Sequence, residues 1–300
     1  MKVCERRTWR PRGYTYPPDR VPLHFREPPC KKCSGDPRGR QDNSHTIGER
    51  PLHLDAATFR VLLELQGPSL GLWRAAEIAA LREQAYEPPV LDLGCGDGLV
   101  TSMVLQRVEV GLDPDEKALA QAARRGIYAR FEAVPAEEAR LADESIATVV
   151  SNSVLEHLPR IQAVLETIAR VLRPGGRLIF TVPTDVLSRW LALPLSCYAT
   201  WRNGQLCHIN MWSTEGWISQ LRQVGLEVEE IRPYLRHELV SAWDALELLQ
   251  QIWIGRRRLV GIAWRRIPAT MLDRLAQWAS RLDLSAWPVG GGRLIVARKV

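Results

Sequence analysis

Short apolar runs alternate along the chain with stretches in which apolar residues recur at helical spacing. The apolar runs predict seven strands, at residues 90–93, 108–113, 127–134, 148–150, 177–182, 226–232 and 291–298. The helical spacing predicts helices at residues 55–65, 69–82, 99–105, 114–125, 161–172 and 214–224. Strands that alternate with helices indicate an α/β fold built on a mostly parallel sheet.

One stretch, Val90–Gly98 (VLDLGCGDG), joins a buried strand to a helix through glycines at every second position. Such a turn lets backbone N–H groups approach a ligand at the helix N-terminus. A dinucleotide-binding turn needs its third glycine three residues after the second, where this chain has Leu99. Asp92 inside the strand suits a cationic ligand, and Asp113 after the next strand is placed to accept the hydroxyls of a ribose. The pair of acids indicates a positively charged nucleoside.

From Pro89 to Pro183 the residues resemble the class I S-adenosylmethionine-dependent methyltransferases of the small-molecule type. Besides the glycine turn, the resemblance rests on Ala136–Val150 (AEEARLADESIATVV), on Ser151–Leu158 (SNSVLEHL) and on the Pro-Gly-Gly turn at residues 174–176. It implies a Rossmann-like seven-stranded sheet with helices on both faces, and S-adenosylmethionine as the cofactor. It also implies that the last strand is antiparallel and lies at the sheet edge.

The resemblance further implies which residues contact the cofactor. These are Asp92, Gly94, Cys95, Gly96, Asp113, Pro114, Ala136, Glu137, Ser151 and Asn152. The chain departs from the family where an acid commonly precedes Ala136 to bind the adenine amino group, because that position is Pro135. Adenine contacts are therefore expected from the backbone of Ala136 and from Glu137.

Charge and composition divide the chain further. Residues 1–50 hold twelve Lys or Arg against six Asp or Glu, which accounts for the whole formal charge of +6. We expect a basic Pro/Arg-rich arm at residues 1–50, a methyltransferase core at 51–235, a helical cap at 236–287 and the last strand of the core, near the sheet edge, at 288–300. A charge excess confined to the arm argues against specific nucleic-acid binding by the globular part.

The arm contains one sharper motif, Cys30 and Cys33, spaced as half of a zinc site that His24 or His45 would complete. The alternative is two thiols in a basic tail without metal, since no second CxxC occurs in the sequence. Six cysteines in 300 residues fit reduced thiols. With no apolar run long enough to span a bilayer, these features predict a cytoplasmic protein.

The region Asp185–Trp287 contains nine of the eleven Trp residues. Five apolar residues recur there at helical spacing: Leu239, Trp243, Leu246, Leu249 and Trp253. Together with Arg256–Arg258, they suggest a face that lies on a membrane peripherally or closes over an apolar substrate. The alternative is a cap packed on the sheet with an arginine-rich solvent side.

Methyl transfer from a sulfonium is an in-line displacement, so the protein positions the acceptor and, for a hydroxyl, supplies a base. His157 and His208 are the candidate catalytic residues, although a loop histidine that holds backbone groups is the alternative for His157. The loop Ser151–Val154 lacks the Pro-Pro-aromatic motif of base-amine methyltransferases. We therefore expect O-methylation of a small apolar or lipid-like acceptor. N- or C-methylation of a sugar or other small molecule, and a non-catalytic S-adenosylmethionine-binding module, are the alternatives.

Overall fold

The structure is a computed structural model that describes residues 46–47, 50–250, 252–254, 257–258, 264 and 266–300. For residues 46–47, 253–254 and 257–258 it describes the backbone alone. Cys30 and Cys33, with most of the basic arm, lie outside the described residues, as does Arg256 of the cap. The predicted zinc site therefore stays a prediction.

The main sheet contains the seven predicted strands and one short additional strand. In chain order these strands are β1 (Thr46–Ile47), β2 (Val90–Leu93), β3 (Val108–Leu112), β4 (Tyr128–Glu132), β5 (Ile146–Asn152), β6 (Leu172–Pro183), β7 (Leu226–Tyr234) and β10 (Gly292–Lys299). Their spatial order is β1-β7-β10-β6-β5-β2-β3-β4, and every pairing that excludes β10 is parallel. Two short strands, β8 (Trp253–Ile254) and β9 (Arg257–Arg258), pair with each other separately. The expected Rossmann-like sheet is confirmed.

The last strand lies inside the sheet, so the expectation that it lies at the edge is wrong. Leu294 of β10 pairs antiparallel with Thr181 of β6 on one side and with Arg232 of β7 on the other. β7, and β1 beyond it, form that side of the sheet instead. The apolar run at residues 294–297 explains the position, because its side chains are buried alternately in the layers on both faces of the sheet.

Eight helices surround the sheet in the described part of the chain. They are α1 (Ala56–Arg82), α2 (Leu99–Ser102), α3 (Glu116–Ala122), α4 (Ile161–Val171), α5 (Ser196–Leu206), α6 (Thr214–Gln223), α7 (His237–Gln250) and α8 (Ala269–Ala279). α1 joins the first two predicted helices, which a kink at Gly67 (φ 80°) before Pro68 still separates. Asp55 caps α1, since its carboxylate accepts from Thr58 N at 2.8 Å.

Two apolar layers lie against the two faces of the sheet. One contains buried side chains of α1, α7 and α8, and the other contains those of α4 and α6. In α4 the buried positions follow the predicted 3.6-residue period: Ile161, Val164, Leu165, Ile168 and Val171. The helices therefore cover both faces, as the family resemblance implied.

The cap packs on α1, in the same layer. Trp243 of α7 lies against Trp73 of α1, with ring centroids 4.9 Å apart. The predicted apolar stripe is partly wrong, because Leu249 is 49% exposed and Trp253 lies in β8 beyond the end of the helix. The buried face instead contains Val240, Trp243 and Asp244. Within the described residues, no helix combines the length and the apolar content needed to cross a membrane, and peripheral contact through the cap stays a prediction.

Candidate active site

The parallel register brings the predicted cofactor residues to one edge of the sheet. Asp92 of β2 pairs with Gly111 of β3 and with Val150 of β5, so the chain leaves all three strands at the same end. The glycine turn, Asp113 and the loop after β5 therefore lie side by side. This is the edge where open α/β sheets bind ligands.

All three glycines of the turn have positive φ, but they face different surroundings. A Cβ on Gly94 would lie 2.5 Å from Val154, and one on Gly98 would lie 2.8 Å from Tyr128. A Cβ on Gly96 would meet nothing within 4 Å. The turn is thus packed against protein at its two ends and open at its centre, where a ligand has room to approach.

Asp113 and the turn are tied to each other. The Asp113 carboxylate accepts from Gly96 N at 3.0 Å, while Gly94 N and Cys95 N both donate to Leu112 O, at 2.7 and 3.1 Å. These three N–H groups bind protein acceptors, so carboxylates dominate the charge of the site. Burial raises the pKa of the Asp113 carboxyl and of the Cys95 thiol above their usual values, which leaves the thiol unreactive.

Asp92 is buried beneath the turn. Its carboxylate accepts from Tyr128 Oη at 2.7 Å and also from the hydroxyl of Thr101. Burial is the main cause that raises the pKa of Asp92 to about 6, and the nearby charge of Asp113 contributes to the same rise. A cation bound nearby would favour the ionised form of both acids.

A second group of polar residues lies in the loop after β5. A short 3₁₀ turn, Leu155–His157, places Glu156 and His157 beside His208, which belongs to the insertion between β6 and α6. The two imidazole rings have centroids 5.2 Å apart, and His157 Nε2 lies 3.5 Å from Glu156 Oε1. The two predicted catalytic histidines, 51 positions apart in sequence, are therefore neighbours.

Backbone hydrogen bonds fix the insertion to this loop. Ile209 N and Asn210 N both donate to Glu156 O, at 2.8 and 2.9 Å, and the Asn210 side chain donates to Leu155 O and Leu158 O. Val154 of the same loop packs directly over Gly94 of the glycine turn. The loop that carries Glu156 and His157 therefore lies against the glycine turn.

The middle of the chain matches a known family model. Residues 91–180 match the model described as a methyltransferase domain, and those residues contain the glycine turn, Asp113 and the loop after β5. The chain carries a class I S-adenosylmethionine-dependent methyltransferase domain.

Named methyltransferases resemble part of the chain. A ubiquinone biosynthesis O-methyltransferase of Agrobacterium fabrum is 34% identical over 111 residues, which are 35% of this chain and 44% of that protein. A trans-aconitate 2-methyltransferase of Sinorhizobium fredii is 29% identical over 136 residues, which are 38% of this chain and 51% of that protein. The chain spans about half the length of the curated relatives it matches.

Solved structures share the fold over a longer part of the chain. An S-adenosylmethionine-dependent methyltransferase of Thermotoga maritima has a TM-score of 0.51 at 17% identity, covering 81% of this chain and all of that one. A geranyl diphosphate methyltransferase has a TM-score of 0.51 at 15% identity, covering 84% of this chain and 89% of that one. At these identities the likeness shows the fold alone.

The residues of the methyltransferase domain fit S-adenosylmethionine, the cofactor of this family. The open space at Gly96 lies beside the Asp113 carboxylate, and the contact with the ribose hydroxyls expected of Asp113 stays a prediction. Asp92 supplies a second buried carboxylate close to it, and a cationic ligand compensates two such groups. The cofactor would supply a methyl group on a positively charged sulfur.

The other predicted cofactor residues follow β3 and β4 in the chain. Pro114 follows Asp113 in the chain, and Ala136 is buried at the start of a 3₁₀ turn, Ala136–Glu138. Glu137 lies 3.8 Å from Arg160 in an ion pair. The adenine contacts expected of Ala136 and Glu137 stay predictions.

Ser151 and Asn152 have protein partners that hold the loop. Ser151 Oγ donates to Leu93 O at 3.0 Å, which ties β5 to the end of β2. Asn152 Oδ1 accepts from Thr181 Oγ1 at 2.8 Å, and its Nδ2 donates to Glu77 at 3.2 Å. Their side chains position the loop, and direct contact with the cofactor stays a prediction.

Glu77 of α1 is a site residue that sequence reasoning missed. It is fully buried and accepts from Trp73 Nε1 at 2.8 Å, Arg74 Nη1 at 2.5 Å, Asn152 Nδ2 at 3.2 Å and, in a short bond, Ser153 Oγ. Its signal was an acid inside the otherwise apolar run of residues 75–81. A charge at a buried helical position needs partners, and here they include the loop that carries the histidines.

The side chains of the histidine group are neutral near pH 7. Burial raises the pKa of Glu156 to about 8, and it lowers the pKa of His157 to about 4 and that of His208 to about 3. Desolvation is the main cause in all three, since it disfavours the charged form of each group. The group therefore combines two neutral imidazoles with a protonated carboxyl and has no net charge.

Proposed function

We propose that the protein uses S-adenosylmethionine to O-methylate a small apolar or lipid-like metabolite. The observation that carries this proposal is the contact between His157 and His208, in a loop that packs against the glycine turn through Val154, because imidazoles are the groups that most often accept a hydroxyl proton. Two apolar residues of the same loop, Val154 and Leu155, pack in one of the two apolar layers. An apolar enclosure excludes water and favours an apolar acceptor.

The tautomer of His157 supports a role with a hydroxyl. His157 Nδ1 lies 3.0 Å from Cys207 O, and because a carbonyl can only accept, Nδ1 carries the proton. Nε2 is then the basic nitrogen, and it takes the proton of the acceptor hydroxyl as that oxygen bonds to the methyl carbon. His208 orients the same hydroxyl from the opposite chain segment, while Leu155 helps to exclude water.

The relatives point in the same direction. The ubiquinone biosynthesis O-methyltransferases are named for O-methylation in the biosynthesis of a lipid-like quinone. The family-model match ends at residue 180, before the insertion that supplies His208. The relatives therefore support methyl transfer to oxygen more than any particular acceptor.

Transfer of labelled methyl groups from S-adenosylmethionine to a cell extract tests the proposal. We expect label in an organic-soluble product that carries a new O-methyl group. His157→Gln and His208→Gln should each lower the rate by about 100-fold or more, the usual contribution of a positioned base, while cofactor affinity is kept. The exposed His53, changed to Gln, is the matched control and should leave the rate unchanged.

Three results would contradict the proposal. Label that enters a water-soluble sugar would support the alternative acceptor class, and label on nitrogen or carbon would contradict O-methylation. No incorporation, despite measured cofactor binding, would support a non-catalytic binding module.

A further inference from the structure

We propose that Glu156, His157 and His208 form a binding site for a divalent transition-metal ion such as Zn²⁺. Each side chain offers one ligand atom, and these three atoms all lie within 4.8 Å of one another. Glu156 and His157 are buried, and His208 is partly buried. Two imidazoles and one carboxylate are a common ligand set for such ions.

Two polar atoms of this group have no hydrogen-bond partner among the described residues. They are Glu156 Oε2 and His208 Nδ1, and both are shielded from solvent. Buried polar atoms without partners cost free energy, so natural structures seldom keep them without a reason. An ion bound between them would satisfy both atoms at once.

His157 is oriented as metal-binding histidines usually are. A ligating imidazole typically donates its other ring N–H to a backbone carbonyl or a carboxylate, which fixes the tautomer and the ring orientation. Here Nδ1 donates to Cys207 O at 3.0 Å, and Nε2 points toward Glu156. The outer contact that would support the ligand is therefore already made.

Two chain segments supply the ligands, and backbone contacts hold those segments together. Ile209 N and Asn210 N bind Glu156 O, so the residues directly after His208 are tied to a second ligand. Such preorganisation lowers the cost of assembling a site. A histidine that only filled space in the insertion would not require these two backbone hydrogen bonds to Glu156.

The nearby cations do not oppose a divalent ion. Arg74 faces Glu156, but it is paired with the buried Glu77 at 2.5 Å. Arg202 lies near His208, but it is paired with the buried Asp244 at 2.8 Å. Each positive charge is matched by a carboxylate, so the ligand group keeps its capacity for a cation.

The role of the ion in methyl transfer rests on the proposed function. Three protein ligands leave coordination positions open for substrate, as catalytic metal sites do. Oxygen donors of the acceptor would occupy them, and the ion would lower the pKa of the hydroxyl that is methylated. With the ion bound, His157 Nε2 would be a ligand, and the hydroxyl would lose its proton to solvent on binding the ion rather than to His157. The acceptor class this implies has a second oxygen next to that hydroxyl, so that both reach the ion.

Metal binding is tested on the full chain without cofactor or acceptor, so that its outcome does not depend on turnover. The chain carries Cys30→Ser and Cys33→Ser, which removes the other predicted zinc ligands, and is stripped with a chelator and dialysed against Co²⁺. We expect one ion per chain and the visible absorption of a site with nitrogen and oxygen ligands.

Variants separate this site from surface binding. His208→Gln and Glu156→Gln should weaken Co²⁺ binding by about 100-fold or more, since even loss of an outer contact costs 10–100-fold. His53→Gln should leave it unchanged, and the thermal unfolding midpoint shows whether each variant is folded.

Two outcomes would overturn the metal site. They are a parent chain that binds no Co²⁺, and folded His208→Gln and Glu156→Gln variants that bind it as tightly as the parent. Methyl transfer by a chain without metal would leave the proposed function intact, and metal binding without transfer would leave this inference intact.

Discussion

Arg202 and Asp244 form a buried ion pair that joins the insertion before α6 to the cap. Arg202 Nε donates to Asp244 Oδ1 at 2.8 Å, and the two side chains are 2% and 0% exposed. Tyr198 Oη and Ala192 N donate to the other carboxylate oxygen, at 2.5 and 3.0 Å. The insertion that supplies His208 is thus fixed to α7, and through Trp243 to α1.

Replacing Asp244 should therefore destabilise the protein strongly. Asp244→Ala leaves the Arg202 charge buried without its partner, which typically costs 3–5 kcal/mol, so we expect a loss of about that size. Asp273→Ala removes an exposed partner of Arg60 and should cost less than about 1 kcal/mol. Urea unfolding measures both. Equal losses in the two variants would contradict a structural role for the buried pair.

Local sequence signals predicted the cofactor side of the site. The glycine turn and Asp113 are contiguous with the strands that carry them, so spacing alone placed them. The fold of the central 90 residues followed from the same local patterns. The position of β10 did not follow from local patterns, because it depends on which strands, distant in sequence, pair on its two sides. The apolar run at residues 294–297 was the one local sign that this strand is buried.

The acceptor side depends on contacts between distant parts of the chain. His157 and His208 were each predicted, but their contact arises only when the insertion folds over the loop after β5. Glu77 was missed because its partners in that loop are about 75 residues away. In the cap, helical spacing identified Trp243 correctly but also selected Leu249, since periodicity does not distinguish a buried stripe from an adjacent exposed one.

The open centre of the glycine turn predicts a selective effect on cofactor binding. Gly96→Ala adds a Cβ that meets no protein atom within 4 Å, so it should extend into the space for the cofactor. We expect cofactor affinity to fall at least about 10-fold, or about 1.4 kcal/mol. Isothermal titration with S-adenosylmethionine measures this.

Gly126 provides a matched control for that substitution. It also has positive φ (72° against 54°) and also has open space around an added Cβ, but it follows α3 outside the site. Both alanine variants should lose about 1–2 kcal/mol of stability, because an L-residue is strained at positive φ. If Gly126→Ala weakened cofactor binding as much as Gly96→Ala, backbone strain rather than steric conflict would explain the effect.

Asp92 should make the stability of the cofactor-free protein depend on pH. Its pKa of about 6 in the folded protein lies above the usual value of 3.8, so between these two pH values the folded state holds a proton that the unfolded state has lost. Stability should therefore fall as the pH rises from about 4 to about 6, by on the order of 3 kcal/mol for this group. Asp92→Asn should flatten that part of the profile in urea unfolding.

The same carboxyl should make cofactor binding depend on pH in the opposite sense. A cationic ligand favours the ionised form, so affinity should rise as the pH rises through about 6. Asp113 also has a raised pKa and adds to the slope, whereas Tyr128, Cys95 and Tyr86 stay neutral because their pKa values are raised. Asp92→Asn should reduce the slope of cofactor affinity against pH. Asp113→Asn should keep the contribution that Asp92 makes to that slope. An unchanged slope in Asp92→Asn would show that Asp92 does not sense the cofactor charge.

Glu77 should control the order of the loop that carries His157. Glu77→Gln replaces an acceptor of four hydrogen bonds by a group that also donates, and it leaves Arg74 buried without its carboxylate. We expect a loss of about 3–5 kcal/mol and a fall in methyl transfer at temperatures where the variant is still folded. Glu64→Gln, at an exposed position of the same helix paired with Arg60 at 2.7 Å, should cost less than about 0.5 kcal/mol and leave transfer unchanged. Because both variants remove one carboxylate from α1, a difference between them measures the connection from that helix to the loop, and equal behaviour would show that no such connection exists.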